Sequence, residues 1–366
     1  MINPVDFLRP LTFFLLLLLG GLFGGLVGVM MIVAMTYISY KRWFEDRADK
    51  HGISERNSSR FGGVLVFFGA IAFVLFCWQF LNKELALADS FRPSQYFRGY
   101  EWVALAAGLV GLWEDFFERL SAMSRLLFLF VLVGLFFWTN PHLLPTNVFP
   151  EPMPQILNLQ TILWLGVTIC VVGFINAGNI ADGANGLLSN IAMVVFLVAY
   201  MQTGAVFYFA LIASIFVFTA FNMTTGLMFL GDFGSYSISA LMALVCVDLY
   251  SQGGSSVWFY GCLLSYPCVE LVRVMFLRWR SGSSPMKADN NHLHNRVFTK
   301  FKAMGFSSLV ANSYTGLALS LLSALVPLVI YLTGYLALDS SAWAGVFLIY
   351  CLVHVLLSTK MTVRLD

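Results

Sequence analysis

LTFFLLLLLGGLFGGLVGVMMIVAMTYI, residues 11–38, decides the solvent in which this chain folds. It carries no charged side chain. At about 1.5 Å of rise per residue, a helix over it outreaches the ~30 Å hydrocarbon layer of a bilayer. The stretch is longer than the core of a secretory signal, and no A-x-A-like cleavage site follows it. It reads as a retained membrane anchor.

Working outward, the same chemistry recurs to the end of the chain. The 366 residues are 59% hydrophobic and 11% charged, less than half the charged share of about 25% usual in soluble domains. Further apolar stretches lie near 61–81, 101–113, 126–139, 160–176, 186–202, 205–221, 233–249, 256–277, 309–333 and 342–358. With the first, they predict an all-α polytopic transmembrane protein of about eleven spans. No polar segment is long enough to fold separately, so 1–366 reads as a single transmembrane domain. The six cysteines, Cys77, Cys170, Cys246, Cys262, Cys268 and Cys351, all lie in apolar runs without a C-x-x-C pair. They read as small buried hydrophobes rather than disulfide partners or zinc ligands. A net charge of +2 gives no reason to expect nucleic acid.

Lysine and arginine placement predicts the orientation. With the N-terminus outside and eleven spans, seventeen of the twenty-one basic residues fall on the inner side; only Arg9, Lys83, Arg92 and Arg98 fall outside. The C-terminus is then cytosolic. The segments 40–60, 114–125, 177–185, 222–232 and 278–308 also face the cytosol and hold most of the polar and glycine-rich sequence.

Five of these polar stretches could carry chemistry, and each also has a plainer reading. In NAGNIADGANG, 176–186, Asn176, Asn179 and Asp182 recur every third residue, near one face of a helix end. Such groups between membrane helices are costly unless they serve a polar site; a polar interhelical turn is the alternative. In FNMTTGLMFLGDFGS, 221–235, Asp232 sits between glycines before an apolar helix. It is either an N-terminal cap or a carboxylate free to approach a metal–phosphate group. Glu114 and Asp115 adjoin at the end of the third stretch, followed by Arg119 and Arg125. Their repulsion is relieved by a shared cation or proton, or simply by water. The loop after Pro267, Glu270 and Arg273 contains Asp289, His292, His294, Asn295 and Arg296. Its i,i+2 histidines without a cysteine argue against zinc and suit diphosphate oxygens; a solvated basic loop is the alternative. Arg56, Arg60, Gly62 and Gly63 open the second apolar stretch, as a phosphate contact or as positive-inside anchors.

In this order the five stretches resemble the polyprenyl-phosphate N-acetylhexosamine-1-phosphate transferase superfamily, glycosyltransferase family 4. Its patterns run R-x-G-G, G-L-x-D-D, N-x-x-N-x-x-D-G-x-D-G, F-x-G-D-x-G-S and a P-x-x-D…H-L-H-H loop, here spread over residues 56–298. The histidine loop is closer to the bacterial undecaprenyl-phosphate GlcNAc-1-phosphate transferase branch than to the phospho-N-acetylmuramoyl-pentapeptide branch. The chain departs from the pattern at Glu114, Asn185, Glu270 and Asn295.

The resemblance implies transfer of an N-acetylhexosamine 1-phosphate from a UDP-sugar to undecaprenyl phosphate, with release of UMP. That would start a lipid-linked cell-envelope glycan such as an O-antigen, on the cytosolic face of the bacterial inner membrane. It implies Mg2+, with Mn2+ as a substitute, held by Asp232. Asp115, Asp182 and Glu114 become the candidate catalytic acids. Asn176, Asn179, Asn185, Asn222, Asp289, His292, His294, Arg60 and Arg296 become substrate-binding candidates. The implied partners are the UDP-N-acetylhexosamine, undecaprenyl phosphate and membrane lipid; self-association as a homodimer stays open. So do two other classes. The departures at Asn185 and Glu114 would suit an inactive scaffold paralogue. A lipid or solute transporter would show inverted repeats and mid-bilayer charges, and the sequence shows no repeat.

Overall fold

The computed structural model describes residues 10–46, 57–81, 98–117, 119–146, 148, 154, 156, 159–284 and 291–361. Every apolar stretch named above lies on a helix or a helix pair. In chain order these are α1 (Pro10–Tyr40), α2 (Gly62–Leu81), α3 (Tyr100–Phe117), α4 (Ala122–Thr139), α5 (Gln160–Ala181), α6 (Leu187–Thr203), α7 (Val206–Thr225) and α8 (Gly231–Ser251). There follow α9 (Val257–Leu263), α10 (Ser265–Arg280), α11 (Leu293–Ala303), α12 (Ser308–Leu332) and α13 (Trp343–Lys360).

The protein is an all-α polytopic membrane protein. Among the described residues, seven helices are long and apolar enough to cross a bilayer: α1, α4, α5, α7, α8, α12 and α13. The bent pair α9–α10 makes an eighth. α3 falls short in composition because Glu101, Glu114 and Asp115 lie within its 18 residues. α6, at 17 residues, is simply shorter.

Three features differ from the sequence reading. The stretch 256–277 is not straight: α9 and α10 meet at 78°. The segments expected as loops at 177–185 and 222–232 are largely helix ends, because α5 runs on to Ala181 and α7 to Thr225. Their amide side chains tolerate this by hydrogen bonding along or between helices. The basic segment 278–308 contains the amphipathic helix α11. α12 also carries a π-helical turn over Leu321–Leu325, just ahead of Pro327, which lacks an N–H for the regular ladder.

α8 is the axis of the bundle. It packs most extensively on α3 and also on α5, α2 and α6, and all but a few of its residues are buried. Small side chains make this fit, with Ser235, Ser237 and Ser239 buried on α8. Gly111 on α3 allows a close backbone approach. A Cβ there would lie 2.2 Å from the Asp232 carbonyl oxygen, so any larger residue would push α3 off the start of α8.

A two-residue antiparallel pair completes the architecture. β1 (Glu45–Asp46) pairs with β2 (Ser58–Ser59), and Ser59 bridges in parallel to Met228. Ser59 N–H donates to Leu227 O (3.0 Å) and Phe229 N–H to Ser59 O (2.8 Å). This brings Arg60 against the loop that leads into α8.

Candidate active site

Two polar clusters meet at the end of the bundle where α3, α5 and α7 finish and α4 and α8 begin. The first surrounds Asp232 in the opening turn of α8. Asn179, in the last turn of α5, donates from Nδ2 to Asp232 Oδ1 (2.9 Å) and to Ser235 Oγ (2.8 Å). On the other oxygen, Arg125 at the start of α4 lies 3.6 Å from Asp232 Oδ2, and also 3.9 Å from Glu114 Oε1. Glu114 Oε2 accepts from the backbone N–H of Leu120 at 3.0 Å, which closes the short α3–α4 turn.

Asp115 reaches the same place from α3. Its Oδ2 accepts from the backbone N–H of Phe233 (3.2 Å), one of the open donors at the α8 N-terminus, and its Oδ1 faces Arg60 Nη1 at 3.4 Å. Burial, and then the negative charge of Asp232, push the Asp115 carboxyl up to about 7. Asp182 caps the end of α5 and keeps part of its surface accessible. Burial, followed by the charges of Asp232 and Asp115, holds its carboxyl well above the usual carboxylate range.

Four acids, Glu114, Asp115, Asp182 and Asp232, thus share a site with two guanidinium groups, Arg60 and Arg125. Among the described residues no three His, Cys, Asp or Glu side chains are close enough to hold a metal by themselves. The donor chemistry fits a hard divalent cation of another kind. Mg2+ is commonly held by one or two carboxylates together with the phosphates of a ligand, not by an all-protein cage. The surplus of negative charge here is what such an ion would offset.

The second cluster surrounds Glu270, which is fully enclosed on α10. Its Oε1 accepts from Arg273 Nη2 (2.6 Å), His292 Nδ1 (3.1 Å) and the backbone N–H of Leu293 (3.2 Å). Its Oε2 accepts from Arg273 Nε (3.1 Å) and His354 Nε2 (2.8 Å). His292 and His294 stack with ring centroids 5.2 Å apart, and His294 Nδ1 shares a hydrogen bond with the Tyr266 hydroxyl at 3.0 Å. Burial, and then the neighbouring His292, lower His294 to about 3, so its imidazole is neutral.

The clusters touch through the loop after α5. A Cβ on Gly183 would sit 2.3 Å from His294 Nε2, so the histidine lies directly on the backbone that follows Asp182. Only glycine admits that contact.

The remaining sequence candidates take other places. Asn176 donates to Val172 O (2.8 Å) within α5. Asn185 and Asn222 are buried and face each other: Asn222 Nδ2 donates to Asn185 Oδ1 (3.4 Å) and to Met228 O (2.7 Å). The backbone N–H of Asn185 donates to Asn312 Oδ1 on α12 (2.9 Å). Arg296 bonds Asn291 Oδ1 and the Ser358 carbonyl. Asp289 lies outside the described residues. The sequence reading assigned no role to Arg125, Tyr266, Arg273, Asn312 or His354, and treated Glu270 only as a departure. A signal existed for His354, the lone basic or acidic side chain inside the apolar stretch 342–358, which holds no Asp, Glu, Lys or Arg.

Residues 98–250 match the family model of glycosyl transferase family 4. That range holds every member of the carboxylate cluster except Arg60, while the histidine arm lies beyond it. The chain is 27% identical over 283 residues to the undecaprenyl-phosphate alpha-N-acetylglucosaminyl 1-phosphate transferase of Yersinia pestis, covering 72% of this chain and 70% of that one. It is 29% identical over 171 residues to the protein of that name in Escherichia coli K12, covering 41% and 44%. It is 30% identical over 168 residues to the phospho-N-acetylmuramoyl-pentapeptide-transferase of Levilactobacillus brevis, covering 41% and 51%. The chain therefore spans about half the length of some of the curated relatives it matches. The resemblance to the polyprenyl-phosphate N-acetylhexosamine-1-phosphate transferase superfamily is shown: the stretch that gathers the acids carries the glycosyl transferase family 4 match, and both branches are among the chain's relatives.

Proposed function

We propose that this protein transfers an N-acetylhexosamine 1-phosphate from a UDP-sugar to undecaprenyl phosphate, releasing UMP and starting a lipid-linked cell-envelope glycan of the O-antigen type. The observation that carries the reading is the convergence of Asp115, Asp182, Asp232, Arg60 and Arg125 at one end of the bundle. Two anions must meet in this reaction, and positioning with charge neutralisation supplies most of the catalysis in phosphoryl transfer.

Arg60 and Arg125 are placed to take phosphate oxygens in charge-assisted hydrogen bonds. A phosphate monoester has its second ionisation near pH 6, roughly. A carboxyl pushed up to about 7 is therefore well matched to accept that proton, and Asp115 is assigned to do so. The deprotonated lipid oxygen then attacks the β-phosphorus of the nucleotide sugar. The bond from that phosphorus to the bridging oxygen breaks, and the bridging oxygen leaves with UMP. Asp232, oriented by Asn179, would hold Mg2+ or Mn2+ together with the diphosphate, and Asp182 lines the same space. When bound, the ion supplies charge neutralisation and a template for the diphosphate oxygens. His292 and His294 would face the diphosphate from the second cluster.

Asn185 does not weigh against activity. Its burial against Asn222 and Asn312 gives the position a structural occupation, so a missing carboxylate there leaves the acid cluster intact. The reading also places eleven spans in the inner membrane, with the N-terminus periplasmic and the clusters cytosolic, in one domain. Cysteine labelling in intact cells tests this orientation: a cysteine at position 289 should be shielded from a membrane-impermeant reagent and one at 146 labelled. The activity is tested by UMP release from a panel of UDP-sugars with undecaprenyl phosphate and Mg2+. No release with any UDP-sugar would overturn it.

A further inference from the structure

α13 presents mostly lipid-facing side chains, among them Leu348, Ile349, Leu352, Val355 and Leu356. Its buried residues are Trp343, His354 and Ser358. The last two are four apart, so they share a face. Both reach the histidine arm: His354 through Glu270 Oε2, and Ser358 through its carbonyl, which accepts from Arg296 Nη1. An imidazole inside an apolar membrane helix needs a polar partner to offset its burial. Here that partner is the same carboxylate whose other oxygen holds His292 and the first backbone N–H of α11.

We propose that His354 is a positioning residue of this site: by donating to Glu270 Oε2 it fixes the carboxylate that aims His292, so that the last membrane helix sets the geometry of the histidine arm. What His292 does once aimed rests on the functional reading above. The physical argument concerns the carboxylate plane. The terminal torsion of a glutamate is broad and roughly two-fold, so its orientation comes from its partners. Without His354, Oε2 keeps only Arg273 Nε, and Arg273 also serves Oε1 through Nη2. Arg273 Nη2 also donates to the Asn291 carbonyl just ahead of α11 (2.8 Å), so the carboxylate, the guanidinium and the segment that carries His292 and Leu293 can then turn together. Ser265, Tyr266 and Tyr350 line a cavity of about 20 Å3 beside His354, and the Ser265 and Tyr350 hydroxyls there have no protein partner. The rest of the cavity lining is mostly apolar, with Leu293, Leu319, Leu322 and Leu357, so the ring makes its hydrogen bond to Glu270 in largely apolar surroundings.

The test compares the full-length wild type with H354Q and H354F in lipid nanodiscs. Gln keeps an N–H donor near the position of Nε2; Phe fills the ring volume without one. Two readouts are taken: kcat and KM for UMP release, and hydrogen–deuterium exchange over residues 291–297. H354F should lose about 10–100-fold in kcat, the range found when the outer partner of a functional histidine is removed. Its KM for undecaprenyl phosphate should stay unchanged and its exchange over 291–297 should quicken. H354Q should restore both readouts to near the wild type. The proposal is overturned if H354F turns over like the wild type, if H354Q is as impaired as H354F, or if exchange stays unchanged while turnover falls. Should H354F fail to insert, H354N, whose shorter amide cannot reach Glu270, takes its place with the same expectations. If the wild type itself releases no UMP, the functional reading fails, and the exchange comparison still decides whether His354 holds the arm.

Discussion

Around Asp232, four carboxylates meet two guanidinium groups; around Glu270, one carboxylate meets a guanidinium, two imidazoles and a backbone N–H. The first arrangement is short of positive charge, and its acids at positions 115 and 182 are held above their ordinary range. The second has more donors than one carboxylate strictly needs. An acid cluster left uncompensated is poised to receive a cation and a polyphosphate; an oversupplied carboxylate is a fixed bracket. The two lie against each other at Gly183, so a ligand seated on one is within reach of the other.

The largest effect should come from removing the acid that both Asn179 and Arg125 address. Asp232→Asn should cut turnover on the order of 10³-fold or more, the scale of losing a main electrostatic contact to the transition state. Insertion into the membrane should be unaffected. Chelation with EDTA should abolish UMP release, and Mg2+ or Mn2+ should restore it. Near-normal rates in the variant would break the contrast between a receiving cluster and a bracket.

Asp115→Asn and Asp182→Asn should each lower initial UMP release about 10²-fold at saturating lipid phosphate. Wild-type rates in both would mean that the uncompensated charge has no catalytic use. Gly183→Ala tests the seam between the clusters. Its new methyl would collide with an imidazole that is buried and tied to Tyr266, so the arm must shift. A drop of roughly 10-fold in kcat is expected, comparable to loss of an outer histidine partner, together with a stability loss of about 1–3 kcal/mol from the overpacked contact. Unchanged kinetics would show that the two clusters work independently.

The smallest effect is expected at Asn185. Asp keeps the oxygen that accepts from Asn222, and the backbone bond to Asn312 does not involve the side chain of residue 185. Asn185→Asp should stay within about threefold of the wild type in kcat, because this buried position gives no group to the acid cluster, while a carboxyl placed there costs stability. Its Mg2+ optimum is the more sensitive measurement. A large loss would draw this buried asparagine into the receiving cluster.

Much of this was legible in the residues. Long apolar stretches fixed the helices, because a segment in lipid has to satisfy its backbone internally. Asp115, Asp182 and Asp232 stood out because acids beside apolar helices are costly without a task. What local pattern could not supply was partnership across distance. Asn185 and Asn312 are 127 positions apart, and Glu270 and His354 are 84 apart. The turn between α9 and α10 had a signal in Pro267, in the first turn of α10, but the apolar run continues through Leu263 and Leu264 and reads as one span. The every-third spacing of Asn176, Asn179 and Asp182 pointed to a helix end but not to the partners of Asn179, since Asp232 and Ser235 lie 53 and 56 positions further on.

The depth at which α8 lies has a consequence for how the protein meets membranes of different thickness. Peripheral helices tilt to match the hydrocarbon layer they touch. α8, which carries Asp232, is enclosed by its neighbours and is shielded from that adjustment. α13 has most of its surface turned outward and is directly exposed to it. A thinner or thicker bilayer would therefore act first on the helix that holds the histidine arm and last on the helix that carries Asp232.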